Sequence, residues 1–155
     1  MIRINFFNYL WMLLLAVALP MTSCLGPSQS EEDEDIILDY ISKNKLTAIR
    51  HNSGIYYIIK TEGSGNNPTI NNTVTVHYQG YLTNGNQFDG TTTKPATFPL
   101  FNLIQGWQIG IPLIKKGGEI KLIIPSALGY GPNPPSNAIP SNSVLVFDIQ
   151  LVDFK

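Results

Sequence analysis

The sequence contains one cysteine, Cys24, and two histidines, His51 and His77, among its 155 residues. One cysteine excludes an internal disulfide and any metal site built from several cysteines, and two histidines leave little for metal ligation. Charged residues are also few, and 10 basic side chains nearly balance 11 acidic ones. This composition argues against a highly charged disordered chain and against a basic nucleic-acid-binding protein. The sequence also lacks a phosphate-binding Gly-rich loop and a nucleophile elbow, so ordinary hydrolase mechanisms are unsupported.

The N-terminal apolar run, residues 9–19, is too short for a membrane-spanning helix of about 20 residues. It follows Arg3, as in a secretory signal peptide. The stretch Met21-Thr22-Ser23-Cys24 resembles a bacterial lipobox, in which the peptide is cut before the cysteine and the cysteine is acylated. We therefore expect residues 1–23 to be a lipoprotein signal peptide and Cys24 to carry a lipid anchor. The anchor would hold the protein on a membrane of the bacterial cell envelope, facing the periplasm or the cell surface. The alternative is a soluble secreted protein with a stray thiol.

The charges divide the remaining chain into two segments. Residues 24–45 contain six acidic and two basic side chains, whereas residues 46–155 contain five acidic and seven basic ones. Residues 25–30 are typical of a flexible tether, and the acidic run at 31–35 predicts a solvated, extended spacer. Apolar residues at roughly helical spacing predict a short helix near 33–45. As an alternative function, acidic residues close to a lipidated cysteine resemble a signal for transfer to the cell surface.

The segment 46–155 contains many glycines and prolines among β-branched and aromatic residues, which favours short strands joined by tight turns. Asn84-Gly85 predicts a hairpin turn, and residues 103–111 predict a short helix. Alternating hydrophobicity predicts strands at 54–61, 73–81, 96–101, 118–125 and 143–154. Together these elements predict an α+β fold. A curved antiparallel β-sheet wraps around one short α-helix and is preceded by a short N-terminal helix.

Single residues in this segment indicate little chemistry. Tyr78 and His77 point to opposite faces of their strand, and no serine, cysteine or second histidine is placed to form a triad with His77. We therefore expect His77 to lie near the surface. The large aromatic residues near the turns, taken one at a time, are explained by core packing. In the last strand, alternation places four residues in the core, namely Leu145, Phe147, Ile149 and Leu151.

Several short motifs follow one another in this segment, namely VHYQG at 76–80, QFD at 87–89, LIQGW at 103–107, IPSALGYG at 124–131, and IP at 139–140 before VLVFD at 144–148. Taken in this order, they resemble the FK506-binding-protein family of peptidyl-prolyl cis/trans isomerases, in a bacterial lipoprotein form. The resemblance extends from about Gly54 to the C-terminus, which is nearly the whole predicted domain.

The resemblance implies an apolar cleft between the sheet and the short helix, with Trp107 as its floor. The Ile104 N–H and the Tyr130 hydroxyl would bind substrate carbonyls, and Asp89 would polarise the site from its edge. The expected catalytic residues are Tyr78, Asp89, Ile104, Trp107 and Tyr130. The expected substrate-binding residues are Phe88, Phe98, Leu103, Ile139 and Phe147.

The resemblance further implies an isomerase that assists the folding of exported proteins. Its partners would be proline-containing polypeptides, with FK506- or rapamycin-type ligands as possible binders, and it would use no cofactor. The loop at 90–95 is shorter than in many members and lacks the arginine that often pairs with the aspartate, which predicts a less firmly oriented Asp89. This departure supports an alternative function, a non-catalytic scaffold or holdase that binds prolyl peptides in an envelope complex.

Overall fold

The computed structural model describes residues 26–155, so Cys24 and the signal peptide predicted at 1–23 lie outside the described residues. Within this range two α-helices, α1 (Gln29–Lys43) and α2 (Gln105–Gly110), accompany seven strands. The strands are β1 (Ile49–Arg50), β2 (Tyr56–Thr61), β3 (Thr73–Leu82), β4 (Gln87–Gly90), β5 (Ala96–Pro99), β6 (Glu119–Ile124) and β7 (Leu145–Phe154). Three 3-10 turns are at Leu100–Asn102, Ile111–Leu113 and Ser126–Leu128. Neither α-helix of this part of the chain has the length and apolar character needed to cross a membrane.

All seven strands belong to one antiparallel sheet. Their order is β1-β2-β6-β7-β3-β4, and β5 pairs with β3 beside this path. β3 and β7 pair from Val74 opposite Phe154 to Leu82 opposite Leu145. A register shift interrupts this pairing between Thr75 and Val76, and such irregularities increase the twist of a sheet. The antiparallel sheet, the few helices and the helix ahead of the sheet confirm the predicted α+β fold.

The hairpin between β3 and β4 turns at the predicted Asn84-Gly85 dipeptide. Gly85 N–H donates to the Leu82 carbonyl, and Leu82 N–H donates to the Asn86 carbonyl, both at 2.9 Å. The strand predicted at 96–101 ends earlier, at Pro99, because the chain there enters a 3-10 turn. β1 and β4 were not predicted as strands, since each is too short to show a clear alternation.

Helix α2 lies close against β6 because two glycines face the sheet. A Cβ at Gly106 would come within 2.5 Å of the Ile124 side chain, and one at Gly110 would come within 2.5 Å of Leu122. Residues four apart share one face of a helix, so on this face the backbone of α2 packs directly against side chains of the sheet. Trp107 follows the first of these glycines and is buried, with 4% of its surface exposed.

Helix α1 packs on a second cluster of buried residues. Its Ile37 is fully buried and belongs to one cluster with Tyr56, Ile123, Val144 and Val146. The residues predicted to face the core from β7 are buried in the main cluster, as expected from their alternation. The second cluster was not predicted, since alternation marks only one buried face of a strand.

The N-terminus of α1 differs from the sequence prediction. The helix begins at Gln29 rather than near residue 33, because Ser28 and Glu31 form a capping box. Ser28 N–H donates to Glu31 Oε2 at 2.7 Å, and this hydrogen bond lowers the pKa of Glu31. The acidic run at 31–35 is therefore helical, and the prediction that it is extended is wrong. Asp33, in the middle of the run, is buried rather than solvated.

Candidate functional site

A cavity of about 190 Å³ lies where α2 approaches the sheet. Strands β3, β4, β5 and β7 contribute residues to it, as do the start of α2 and the loop after β6. The lining residues are Tyr78, Asp89, Phe98, Leu103, Ile104, Trp107, Tyr130 and Phe147. Seven of these eight side chains are aromatic or aliphatic, so the cavity is suited to a small apolar group rather than to a charged cofactor.

The aromatic side chains meet edge to face around Trp107. The Trp107 ring lies 5.1 Å from Tyr78 and 5.2 Å from Phe147, with interplanar angles of 83° and 88°. Tyr78 also meets Phe98 at 6.3 Å, and Phe147 meets Phe88 at 5.6 Å. Each such pair contributes about 0.5–1.5 kcal/mol beyond the burial of its surface. Neighbouring rings thus hold Trp107, which gives the cavity a rigid base.

The polar edge of the cavity is formed by Asp89 and two tyrosines. The Tyr78 hydroxyl donates to Asp89 Oδ2 at 2.8 Å, and Gly90 N–H donates to Asp89 Oδ1 at 2.7 Å. Both carboxylate oxygens are therefore held, and the loosening of Asp89 predicted from the missing arginine is not observed. Burial and the bond to Asp89 raise the pKa of Tyr78, while burial and the nearby Asp89 charge raise that of Tyr130. Both phenols keep their protons at neutral pH and can act as donors.

A backbone donor lies beside the cavity at Ile104. Among the hydrogen bonds of residues 26–155, the Ile104 N–H donates to no protein group. The Leu103 carbonyl of the same peptide unit accepts from Gln108 Nε2 at 2.6 Å, and Gln108 also donates to the Phe101 carbonyl at 3.1 Å. Because a peptide unit is planar and trans, fixing its carbonyl also fixes the direction of its N–H. Gln108 thus holds the Ile104 donor in place.

Trp107 also carries a polar group without a partner. In the described part of the chain, its indole Nε1 is the buried side-chain nitrogen or oxygen that makes no hydrogen bond. Buried donors are nearly always satisfied in folded proteins, because leaving one unpaired costs about 1–3 kcal/mol. Because this nitrogen is itself buried, the cost of leaving it unpaired falls on the stability of the fold.

A family model described as FKBP-type peptidyl-prolyl cis-trans isomerase matches residues 65–152, which is more than half of the chain. The chain belongs to this family. It is 45% identical over 134 residues to the FKBP-type isomerase FkpA of Buchnera aphidicola from Schizaphis graminum, a match that covers 82% of this chain and 53% of that protein. It is 44% identical over 105 residues to FkpA of Escherichia coli K12, covering 66% of this chain and 38% of that one. The chain therefore spans about half the length, or less, of these FkpA relatives.

Two solved structures resemble the fold. The crystal structure of FkpA from Escherichia coli matches with a TM-score of 0.72 and 38% identity, covering 81% of this chain and 61% of that one. A peptidyl-prolyl cis-trans isomerase from Pseudomonas syringae matches with a TM-score of 0.70 and 28% identity. That match covers 84% of this chain and 98% of the other, so the fold described here accounts for nearly all of the smaller relative.

In this FKBP fold the cavity collects all five expected catalytic residues. It also collects three of the five expected substrate-binding residues, Phe98, Leu103 and Phe147. Phe88 lies outside the lining and supports Phe147 by ring contact, and Ile139 is buried in the core with 4% of its surface exposed. A motif identifies these two residues from their near neighbours in the sequence. Whether a side chain reaches the cavity depends instead on neighbours from other strands.

Gln108 is the site residue that sequence analysis missed. The available signal was a polar residue directly after the buried tryptophan, which α-helical geometry directs back toward the chain that enters the helix. His77 lies where expected, on a strand face away from the FKBP cavity, with its Nδ1 3.2 Å from Thr91 Oγ1. No group of three His, Cys, Asp or Glu side chains in residues 26–155 is close enough to hold a metal ion.

Proposed function

We propose that this protein catalyses cis–trans isomerisation of X-Pro peptide bonds in exported polypeptides while attached to a bacterial membrane through Cys24. The observation that carries the catalytic part is the cavity itself. The Trp107 ring forms the floor of the cavity, and it lies beside an Ile104 N–H without a protein partner, in a chain of the FKBP family. This arrangement supports binding of a prolyl ring together with a neighbouring carbonyl.

The reaction requires no nucleophile. Rotation about the X-Pro bond disrupts amide resonance, and the barrier of about 18–20 kcal/mol makes the uncatalysed step take tens of seconds. The twisted amide is less dipolar than the planar one, so an apolar cavity destabilises it less than it destabilises the ground state. A fixed donor can hold an adjacent carbonyl while the rotation proceeds.

Each cavity residue has a part in this reaction. Trp107 and the rings around it hold the prolyl ring away from water. The Ile104 N–H and the Tyr130 hydroxyl donate to substrate carbonyls on either side of the rotating bond. Asp89 keeps the Tyr78 hydroxyl oriented and brings one negative charge to the edge of the cavity.

The energy needed is modest. Shortening a step of tens of seconds to about 10 ms requires about 4–5 kcal/mol of transition-state stabilisation. Burial of a prolyl ring and two hydrogen bonds to neutral groups together contribute a free energy of this size.

The deciding experiment is a protease-coupled assay on a chromogenic X-Pro-Phe peptide. We expect a rate well above the thermal background, and we expect FK506 to suppress it by occupying the same cavity. Peptide binding without any rate above background would overturn the catalytic proposal. It would support instead the non-catalytic scaffold or holdase.

The membrane attachment is tested separately. If Cys24 is acylated, the protein fractionates with membranes, resists a high-salt wash because its attachment is hydrophobic, and dissolves in detergent. Cys24→Ser then moves the protein to the soluble fraction or leaves an unprocessed precursor. Salt-extractable wild-type protein, or a mature mass without acyl chains, would refute the anchor and leave the isomerase proposal untouched.

A further inference from the structure

Helix α1 carries a buried carboxylate that the proposed reaction does not use. Asp33 exposes 1% of its surface, and its Oδ2 accepts from Ser126 N–H at 2.8 Å and from the Ser126 hydroxyl at 2.6 Å. Its Oδ1 accepts from Gln29 Nε2 at 2.8 Å. Within residues 26–155, no lysine or arginine forms an ion pair with it. A buried carboxylate is costly unless hydrogen bonds satisfy it, so these three bonds constrain where α1 and Ser126 lie.

Ser126 in turn organises the loop that carries Tyr130. Its carbonyl accepts from Gly129 N–H at 3.0 Å and from Gly131 N–H at 2.9 Å, which are the residues on either side of Tyr130. Gly131 has a positive φ of 57°, so the loop turns sharply there. The turn that presents Tyr130 to the cavity is therefore closed by hydrogen bonds to Ser126, which Asp33 holds in place.

We propose that Asp33 is a positioning residue, which acts through Ser126 to hold the Tyr130 hydroxyl over the cavity. This inference rests on the proposed isomerase function. It makes α1 a part of the substrate-binding unit, although α1 lies outside the part of the chain that the family model matches. The carboxylate and the hydroxyl are linked by one continuous series of contacts, from Asp33 to Ser126 and then to the residues flanking Tyr130.

The opposing explanation is that Asp33 only attaches α1 to the sheet. Ile37 provides the matched control, since it lies one turn further along α1, is fully buried, and has no hydrogen bond to Ser126. Ile37→Ala should loosen α1 while leaving the Asp33 bonds available. A role in positioning predicts a change in substrate binding for Asp33 variants that the Ile37 variant does not share.

Asp33→Leu and Asp33→Asn form an informative pair of similar size. Leucine removes every acceptor and leaves the buried Ser126 N–H unpaired, whereas asparagine retains one oxygen for Ser126. In the peptide assay on the full chain, we expect Asp33→Leu to lower kcat/KM about fivefold, mainly through KM. Asp33→Asn should remain within about twofold of wild type, and Ile37→Ala should match wild type despite its lower stability.

A double-mutant cycle with Tyr130→Phe decides whether Tyr130 transmits the effect. If it does, Asp33→Leu causes no further loss once the Tyr130 hydroxyl is absent. Independent losses that multiply, or an equal loss of kcat/KM in Ile37→Ala, would overturn the inference. If Asp33→Leu does not fold, Ser126→Ala replaces it in the cycle, since it removes only the hydroxyl donor and keeps the backbone bond.

Failure of the isomerase proposal would be recognised separately. In that case the wild-type chain shows no turnover. The same double-mutant cycle is then carried out with the affinity for a labelled X-Pro peptide as the measured quantity. Coupling between Asp33 and Tyr130 in that affinity would support the positioning role, and its absence would refute it.

Discussion

The two helices cover the sheet in different ways. Helix α2 approaches through Gly106 and Gly110, and the aromatic rings around it leave a cavity. Helix α1 instead sets the aliphatic Ile37 against Ile123 and Val146. The α2 side therefore has room for a ligand, whereas Ile37 on the α1 side is fully buried. The comparison indicates that α2 borders the cavity directly, whereas α1 packs away from it and reaches the site only through Ser126.

Two carboxylates on the sheet, Asp89 and Asp148, also differ in their surroundings. At the cavity a single carboxylate, Asp89, accepts from Tyr78 and Gly90 and meets no cation within the described residues. Elsewhere on the sheet, Asp148 accepts from Lys60 and Lys121, both at 2.7 Å. Asp89 thus keeps its charge available to a substrate, whereas the charge of Asp148 is matched within the protein.

The largest expected effect separates the two helices directly. Trp107→Ala and Ile37→Ala each remove a large buried side chain, and each should lower the free energy of unfolding by about 3 kcal/mol in urea titrations. Only Trp107→Ala removes the base of the cavity, so it alone should lower kcat/KM, by about 30-fold or roughly 2 kcal/mol of transition-state binding. Equal activity losses in the two folded variants would contradict the view that α2 alone borders the cavity directly.

A smaller effect is expected from Gln108→Ala. Without its amide, the Leu103 carbonyl is released and the Ile104 N–H loses its fixed direction, so kcat/KM should fall about fivefold. Gln105→Ala is the control, because it is an exposed residue at the start of the same helix. The two variants are compared in the peptide assay. Activity that remains at the wild-type level in Gln108→Ala would show that the donor needs no such support.

The smallest effect is a pH-dependent change in stability at Asp148. Burial raises the pKa of this carboxyl, but the hydrogen bonds from Lys121 and Lys60 outweigh burial, so its pKa lies below the ordinary value. A carboxyl with a lowered pKa stabilises the fold above its unfolded pKa of about 4, and this contribution disappears as the pH falls through the folded pKa. Asp148→Asn should therefore cost about 1 kcal/mol at pH 7 and progressively less below about pH 4.

Urea unfolding of the wild-type protein and of Asp148→Asn between pH 3 and 7 measures this difference in stability. Asp153→Asn serves as the comparison, since Asp153 pairs with Lys116 at 2.8 Å on a well-exposed surface. It should change stability less than Asp148→Asn. A loss for Asp148→Asn that is constant across the pH range would mean that the ion pairs do not cause it.

Much of the fold was predictable because its signals are local. Alternating residues predicted β3 and β7, and Asn84-Gly85 predicted the hairpin turn that follows β3. The buried residues of β7 followed the predicted alternation. The start of α1 was predicted too late, although the Ser28 and Glu31 capping pair was visible in the sequence. Ordinary tether composition around Ser28 concealed a helix start that two residues, Ser28 and Glu31, determine.

The candidate site was predictable only in part. The motifs contain seven of the eight residues that line the cavity, and the family resemblance also indicated Phe98, since motif order reflects a shared fold. The same motifs also indicated Phe88 and Ile139, which lie behind the lining, because a motif does not specify which side chains reach an open space.

The sequence by itself determined five of the seven strands and the Asn84-Gly85 turn, because these follow from spacing between near neighbours. Its resemblance to a known family indicated the aromatic residues from which the cavity is built. The tertiary structure alone decided that Gln108 supports the Ile104 donor and that Asp33 contacts Ser126. Asp33 and Ser126 are 93 positions apart in the chain, so no local pattern links them. Only the packing of α1 onto the folded sheet brings the carboxylate to its donors and excludes water from both.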